Sequence, residues 1–352
     1  MTAHIHAIGT AVPDHDIHDA FVGWATPRLA EREQPLFRRM AARSGISHRW
    51  SVLPRSDGGG SPVDGGGFYH DGMPGTAERM GVYADQAPGL ALKAIDDLAS
   101  KVPIDGITHL VVASCTGFVA PGIDQIIAER LGLADGVERT LVGFMGCYAA
   151  VAALRVAHHI ARSDPGAQIL VVTVELSTLH LQDATMIEPL LAMLQFADGA
   201  AAALVSATQG GIAIDRFFAA TLPDSADLIR WTIGDHGFAM HLSGEVPGRI
   251  ATALNDATFR ERLTGGQPST DIDAWAVHAG GRSILDAVQH GLRLDDNTLG
   301  SSRKILENFG NMSSSTLMFV LADVLAQANL GNGVALAFGP GLAAEGFAFR
   351  RP

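Results

Sequence analysis

The stretch Leu141-Val142-Gly143-Phe144-Met145-Gly146-Cys147-Tyr148-Ala149-Ala150-Val151-Ala152-Ala153-Leu154 decides the fold. It reads as the end of a buried strand, a glycine-marked turn, and a helix apolar on nearly every face. Such a helix belongs inside a large core. Cys147 falls where the turn becomes the helix. Backbone N–H groups there lack intrahelical partners and the dipole end is positive, so both effects stabilise a thiolate and lower a cysteine pKa. The competing reading is a buried structural cysteine, since a free cysteine packs as a small apolar side chain.

Two later stretches weigh toward a nucleophile. One is Trp275-Ala276-Val277-His278-Ala279-Gly280-Gly281-Arg282-Ser283-Ile284-Leu285-Asp286, and the other is Asn308-Phe309-Gly310-Asn311-Met312-Ser313-Ser314-Ser315. A cysteine at a strand–helix turn, a histidine after a short apolar strand and an asparagine after a glycine make a nucleophile, a base and a polarising amide. Taken in order, these motifs resemble those of the type III polyketide synthases, the chalcone and stilbene synthase superfamily. Phe338-Gly339-Pro340-Gly341-Leu342 is similar to that family's closing loop. The likeness runs from about Phe37 to Phe349.

The resemblance implies a thiolase-like α/β fold, with two duplicated halves layered α-β-α-β-α. Residues 1–210 would carry the nucleophile and 211–352 the histidine and asparagine. It implies Cys147, His278 and Asn311 as catalytic residues and neither metal nor redox cofactor. Acyl-CoA and malonyl-CoA would be the substrates and a homodimer the assembly. Cys147 would carry the acyl group, His278 would keep the thiolate ionised, and His278 with Asn311 would bind the thioester oxygen and the malonyl-derived enolate.

Composition agrees with an enzyme of this size. The chain has 352 residues, 47% apolar and 18% charged, enough for one large core or two fused halves. A net charge of −12 argues against a general nucleic-acid binder. The sequence has no apolar run long enough to span a bilayer and no basic start followed by an apolar block. With only two cysteines, Cys115 and Cys147, both in apolar surroundings, a reducing cytoplasm is the expected setting. Only three lysines occur, so the basic groups are nearly all arginine. Arginines gather at Arg38, Arg39, Arg43, Arg49 and Arg55. Arginine forks suit phosphates, although a solvated helix face explains any single one. By the resemblance, Arg43 and Arg49 lie near the coenzyme A phosphates.

Along the chain, residues 4–12 read as a strand, 28–44 as an amphipathic helix and 56–75 as a glycine-rich surface loop. A helix is expected from Thr76 to Ser100, with Thr76 or a neighbour as cap. His109 to Gly117 reads as a buried strand running into a turn, and 123–132 as the next helix. Gln168 to Glu175 is a β-branched buried strand, and Glu175 at its end calls for hydrogen-bond partners. From about Gly211 the pattern restarts as strand, helix, buried strand, helix and two closing strands, with His278 and Asn311 at strand ends.

The pocket residues come from the resemblance. Cys115, Thr116, Ser177, His180 and Ser313 match the cavity wall, His180 as a polar wall or a second acid/base. Phe196 matches a gatekeeper. Met240 stands where chalcone-type enzymes carry a second gatekeeper Phe, and Trp231 where they carry Gly, so Trp231 narrows one side and Met240 loosens the other. Ala120 replaces a larger residue that reaches across the dimer in plant relatives. Small Ala120 and flexible Met240 leave room for a medium or long fatty acyl starter, giving an alkylpyrone or alkylresorcinol. A malonyl-CoA-only synthase of a small phenol and a β-ketoacyl-ACP synthase III-like condensing enzyme are the alternatives within the fold. The second of these fits less well, because its histidine is followed by Gln-Ala-Asn rather than Ala-Gly-Gly. A hydroxymethylglutaryl-CoA synthase is more distant. From another class, a non-catalytic thiolase-fold subunit is disfavoured by the intact Cys147, His278 and Asn311.

Overall fold

The computed structural model describes residues 2–56 and 58–352. The first half runs β1 (Ala3–Ala11), β2 (His15–Asp16), α1 (His18–Ala25), α2 (Gln34–Ala42), β3 (Trp50–Ser51), α3 (Thr76–Ala99), β4 (His109–Ser114), α4 (Ile123–Arg130), β5 (Glu138–Gly143), α5 (Ala149–Ser163), β6 (Gln168–Leu176), α6 (Ile187–Met193) and β7 (Asp198–Ser206). The second half runs β8 (Ile212–Thr221), β9 (Ile229–Gly234), β10 (Gly237–Leu242), α7 (Val246–Asn255), α8 (Ala257–Thr264), β11 (Ala274–Val277), α9 (Arg282–Leu292), α10 (Gly300–Phe309), α11 (Ser314–Leu325), β12 (Asn332–Gly339) and β13 (Ala343–Arg350).

Nine strands form one sheet in the order β11-β12-β13-β8-β1-β7-β6-β4-β5. The two halves repeat one plan about the β1–β8 junction. In the first, β1 is antiparallel to β7, β7 to β6, and β6 parallel to β4. In the second, β8 is antiparallel to β13, β13 to β12, and β12 parallel to β11. The junction itself is short, pairing Ala3, His4 and Ile5 with Ile214, Ala213 and Ile212.

Strand alternation builds the layers. In β6, Ile169 and Val171 face a middle layer with α5 and α11, while Leu170, Val172 and Val174 face an outer layer with α3. In β11 and β12, Ala276, Ala335 and Ala337 face the same middle layer. Trp275, Val277, Val334 and Leu336 face a second outer layer with α7 and α9. A slip of one residue would exchange these faces, so two-sided burial fixes the register. The two central helices are buried nearly all round, as their composition demands. The result is helix, sheet, helices, sheet, helix: the thiolase-like α/β architecture.

Several local expectations differ. Residues 28–44 are not one helix. A single 3-10 turn covers Thr26–Arg28, Leu29 is extended, and α2 starts only at Gln34 with a proline in its first turn. Pro35 has no N–H to donate back to the preceding turn, so it suits the first turn of a new helix and cannot continue an earlier one. The cap of α3, expected at Thr76 or a neighbour, falls on the neighbour Gly75. Gly75 holds the cap position without a side-chain bond, and the Thr76 hydroxyl instead donates to Gly234 O and accepts from Gly237 N. The second half has a β9–β10 hairpin and a pair of helices before its buried strand, and α9–α11 before the closing strands. His278 does follow a strand, whereas Asn311 lies between α10 and α11 and touches the sheet system only through one bridge to Phe196. Of the loop at 56–75, Asp57 lies outside the described residues. Among the described residues, no helix is long and apolar enough to cross a membrane.

Candidate active site

Cys147 stands in a single 3-10 turn, Gly146–Tyr148, between β5 and α5. Gly146 is obligatory there. Its φ is +78°, and a Cβ would sit 2.3 Å from the Pro340 ring. The Phe338–Leu342 loop therefore packs directly on the nucleophile turn. Beneath it, Cys115 Sγ accepts a hydrogen bond from Gly146 N at 3.0 Å.

Asn311 is held from both sides. Its N–H donates to Gln195 O (2.8 Å) and its carbonyl accepts from Ala197 N (2.9 Å), which locks the turn to the Phe196 segment. Its Oδ1 accepts from Ser313 N at 2.9 Å and its Nδ2 donates to Gly280 O at 3.2 Å. That fixes which way the amide faces and leaves one Nδ2 hydrogen free. Gly310 permits the close approach, because a Cβ there would meet Gln195 O at 3.0 Å and the Arg49 side chain at 2.9 Å. Ser313 adopts φ +48°, a left-handed conformation rarely taken by a non-glycine residue, at the start of α11. His278 follows β11, and its N–H donates to Leu336 O. Both of its ring nitrogens are buried without a partner.

Three adjoining cavities meet at Phe196 and Met240. A small chamber is lined by Cys115, Thr116, Cys147, Ser177, Phe196, Trp231, Met240 and Ser313. A second brings Cys147 together with His278 and Asn311, and also with Ile229, Leu242, Ile284 and Phe338. A mostly apolar side cavity shares Ser177, Phe196, Trp231 and Met240 with the first and adds His180, Arg49 and Phe238. Of the expected wall residues, Cys115, Thr116, Ser177, Phe196, Trp231, Met240 and Ser313 line the chamber with Cys147, whereas His180 lines only the side cavity.

Trp231 and Met240 do not flank opposite sides. They are direct cross-strand partners in the β9–β10 hairpin, so both shape one wall. Trp231 Nε1 donates to Cys115 O at 3.1 Å. Phe238, missed by the sequence reading, stands two residues before Met240; strand period two was the signal that places both on one face. His180 is wall. Its Nε2 bonds Thr116 O at 2.8 Å, its Nδ1 accepts from Phe238 N at 3.0 Å, and its ring stacks on Phe238 with centroids 4.1 Å apart.

Arg43 is exposed at the end of α2. Arg49 is not placed to meet a solvent-borne phosphate, since it is 2% exposed. Its Nη1 donates to Phe196 O (2.8 Å) and Met193 O (3.1 Å), its Nε donates to His18 Nδ1, and its guanidinium lies 4.7 Å from the Phe21 ring centre. Ala120 is exposed.

Electrostatics corrects one expectation. Burial pushes the Cys147 thiol up to about 12, with Ser313 and Asn311 pulling it back and buried Glu175 adding to the rise. Burial likewise takes His278 down to about 3. Desolvation of the charged forms outweighs the helix start, so the free pair rests as thiol and neutral imidazole. Glu175 finds the partners it requires: Cys115 N and Thr116 Oγ1 donate to it at 2.9 Å each, and Ser314 Oγ donates to its other oxygen.

Comparison with known proteins decides the family. Residues 1–209 match the N-terminal domain of the chalcone and stilbene synthases, and residues 214–351 match their C-terminal domain. The chain belongs to the chalcone and stilbene synthase family, the type III polyketide synthases. Among its relatives is the alpha-pyrone synthesis polyketide synthase-like Pks18 of Mycobacterium tuberculosis, 33% identical over 77% of this chain and 72% of that protein. Type III polyketide synthase A of Arabidopsis thaliana is 30% identical over 80% and 75%. Among solved structures, PKS-I of the brown alga Ectocarpus siliculosus covers 100% of this chain and 98% of that one, at 29% identity and a TM-score of 0.89. Members of this family are condensing acyltransferases that use acyl-CoA and malonyl-CoA.

Proposed function

We propose that this type III polyketide synthase loads a medium- or long-chain fatty acyl group from coenzyme A onto Cys147. It then extends the chain with malonyl-CoA and closes it to an alkylpyrone or alkylresorcinol. One observation carries the reading: the chamber holding Cys147 shares Phe196, Trp231 and Met240 with a mostly apolar side cavity, a lining that suits an alkyl tail. The printed name of Pks18 supports the pyrone outcome by likeness.

In this reading the Cys147 Sγ–H proton passes to His278 as sulfur attacks the thioester carbon. An ion pair that a low-dielectric pocket disfavours at rest forms only as bonding begins. The tetrahedral oxygen takes hydrogen bonds from protonated His278 and the free Asn311 Nδ2 hydrogen. The C–S bond to coenzyme A breaks, and the His278 proton leaves with the coenzyme A thiol. Malonyl-CoA then loses carbon dioxide. The same two donors hold the enolate oxygen while its carbon attacks the Cys147 thioester, freeing Sγ. Arg43, at the exposed end of α2 with Arg282 Nη1 bonded to its carbonyl, supplies phosphate-binding charge at the entrance. The working unit is a cytoplasmic homodimer.

The test is product mass spectrometry with malonyl-CoA and acetyl-, hexanoyl-, lauroyl- or palmitoyl-CoA, and with malonyl-CoA alone. Pyrones or resorcinols whose mass tracks the starter support the proposal. An aromatic product from malonyl-CoA alone overturns the fatty starter and leaves the family standing.

A further inference from the structure

The side cavity is not uniformly apolar. Arg49 lines it, and its Nη2 is buried without a hydrogen-bond partner, while Nε and Nη1 are fully used. Ser177 Oγ, on the wall shared with the nucleophile chamber, is also buried and unpartnered. Other polar groups round this cavity are satisfied: Ser51 bonds Thr178, Tyr69 donates to Thr178 O, and both His180 nitrogens bond backbone. Burial leaves Arg49 with a pKa of about 9, so it remains a cation at neutral pH.

A plain alkyl chain filling this space would displace water and leave both donors without an acceptor. Buried polar groups are otherwise almost always paired, and leaving one unpaired is unfavourable. We propose that the side cavity selects an acyl group with an oxygen acceptor beyond the thioester, hydroxyl, keto or carboxylate. Arg49 Nη2 is its donor at the far contact and Ser177 Oγ the donor nearer Cys147. The inference rests on the condensing reading above and narrows its starter class from fatty acyl to oxygenated acyl. It also makes Arg49 a specificity-determining residue.

The experiment compares matched pairs with malonyl-CoA: hexanoyl-, octanoyl-, decanoyl- and lauroyl-CoA against their ω-hydroxy and ω-carboxy counterparts. For wild type, kcat/KM for at least one oxygenated member should exceed its plain partner by about tenfold or more, as expected where a site's donor meets or misses its acceptor. The preference should peak at one length, where the oxygen reaches Nη2. Arg49→Met should bring that ratio to about one. Because Arg49 also ties two backbone carbonyls, that variant can fail to fold; Ser177→Ala, a smaller change, should lower the ratio with no loss of thermal stability. Equal rates across all pairs in wild type, or faster plain chains, overturn the inference and leave the fatty-starter proposal intact. No condensation with any acyl-CoA overturns both.

Discussion

The framework under the nucleophile turn and the cavities above it bury polar groups in opposite ways. Below, Glu175, Asp198 and Ser315 have their partners. Glu175 receives three donors, and Asp198 receives Val52 N, Thr178 N and Thr178 Oγ1 at 2.8, 2.8 and 2.7 Å. Ser315 Oγ bonds Thr173 and donates to Gly199 O. Above, both ring nitrogens of His278, Ser177 Oγ and Arg49 Nη2 have none. A satisfied buried group fixes shape, whereas an unsatisfied one waits for a substrate to complete it. In the proposed mechanism the molecule thus separates the groups that hold the site from those that act in it.

The largest effect should come from the acting set. Cys147→Ala should abolish acyl loading, seen by intact-protein mass, and lower product formation by at least ~10⁴-fold, since covalent capture has no substitute. Full polyketide output from this variant would sink the assignment. His278→Ala and Asn311→Ala should each cut malonyl-CoA decarboxylation by ~10²–10³-fold, the usual effect of removing an oxyanion donor. His278→Ala should unfold near the wild-type temperature, because its ring makes no hydrogen bond among the described residues, whereas Asn311→Ala should lose about 1–2 kcal/mol with the bonds to Ser313 N and Gly280 O.

The holding set should respond in stability and its pH dependence. Burial raises Glu175 from 4.5 to about 7, and Asp198 likewise to about 7. A carboxyl whose folded pKa is raised favours folding while protonated. Its contribution is complete below the unfolded pKa and is lost as pH climbs through about 7. For Glu175 the loss is about 3 kcal/mol, at ~1.4 kcal/mol per pH unit. Glu175→Gln can still accept from Cys115 N and Thr116 while its amide meets Ser314. Denaturation curves from pH ~4.5 to ~8 should therefore be flatter for this variant than for wild type. An unchanged slope would mean that Glu175 stays ionised throughout.

Most of the fold was legible because it rests on one-dimensional signals. The β-branched run of β6 and the apolar surround of α5 have meaning without knowing their neighbours. Motif order pointed to Cys147, His278 and Asn311, and the three line one cavity. What stayed hidden depends on partners far along the chain. Nothing local to Arg49 says that Phe196 O, Met193 O and the Phe21 ring will enclose it. Trp231 and Met240 looked like opposing walls until hairpin register made them neighbours. The Cys147 pKa was misjudged for the same reason. The helix start is a local feature, whereas the burial that outweighs it is tertiary.

His180 offers the finest test, since it borders both regions. It faces the side cavity, yet its hydrogen bonds place it with the framework. Burial takes its pKa down to about 3, so it stays neutral across the working range. With Nδ1 accepting from Phe238 N, the proton must sit on Nε2, where Thr116 O receives it. A ring held this way has no free lone pair with which to take a proton from substrate. His180→Gln retains one donor and one acceptor, so kcat should fall no more than a few-fold and the pH–rate profile should keep its shape. A loss above ~10²-fold with one limb of that profile removed would place His180 among the acting groups. Complete satisfaction by backbone would then no longer separate wall from catalyst in this chain.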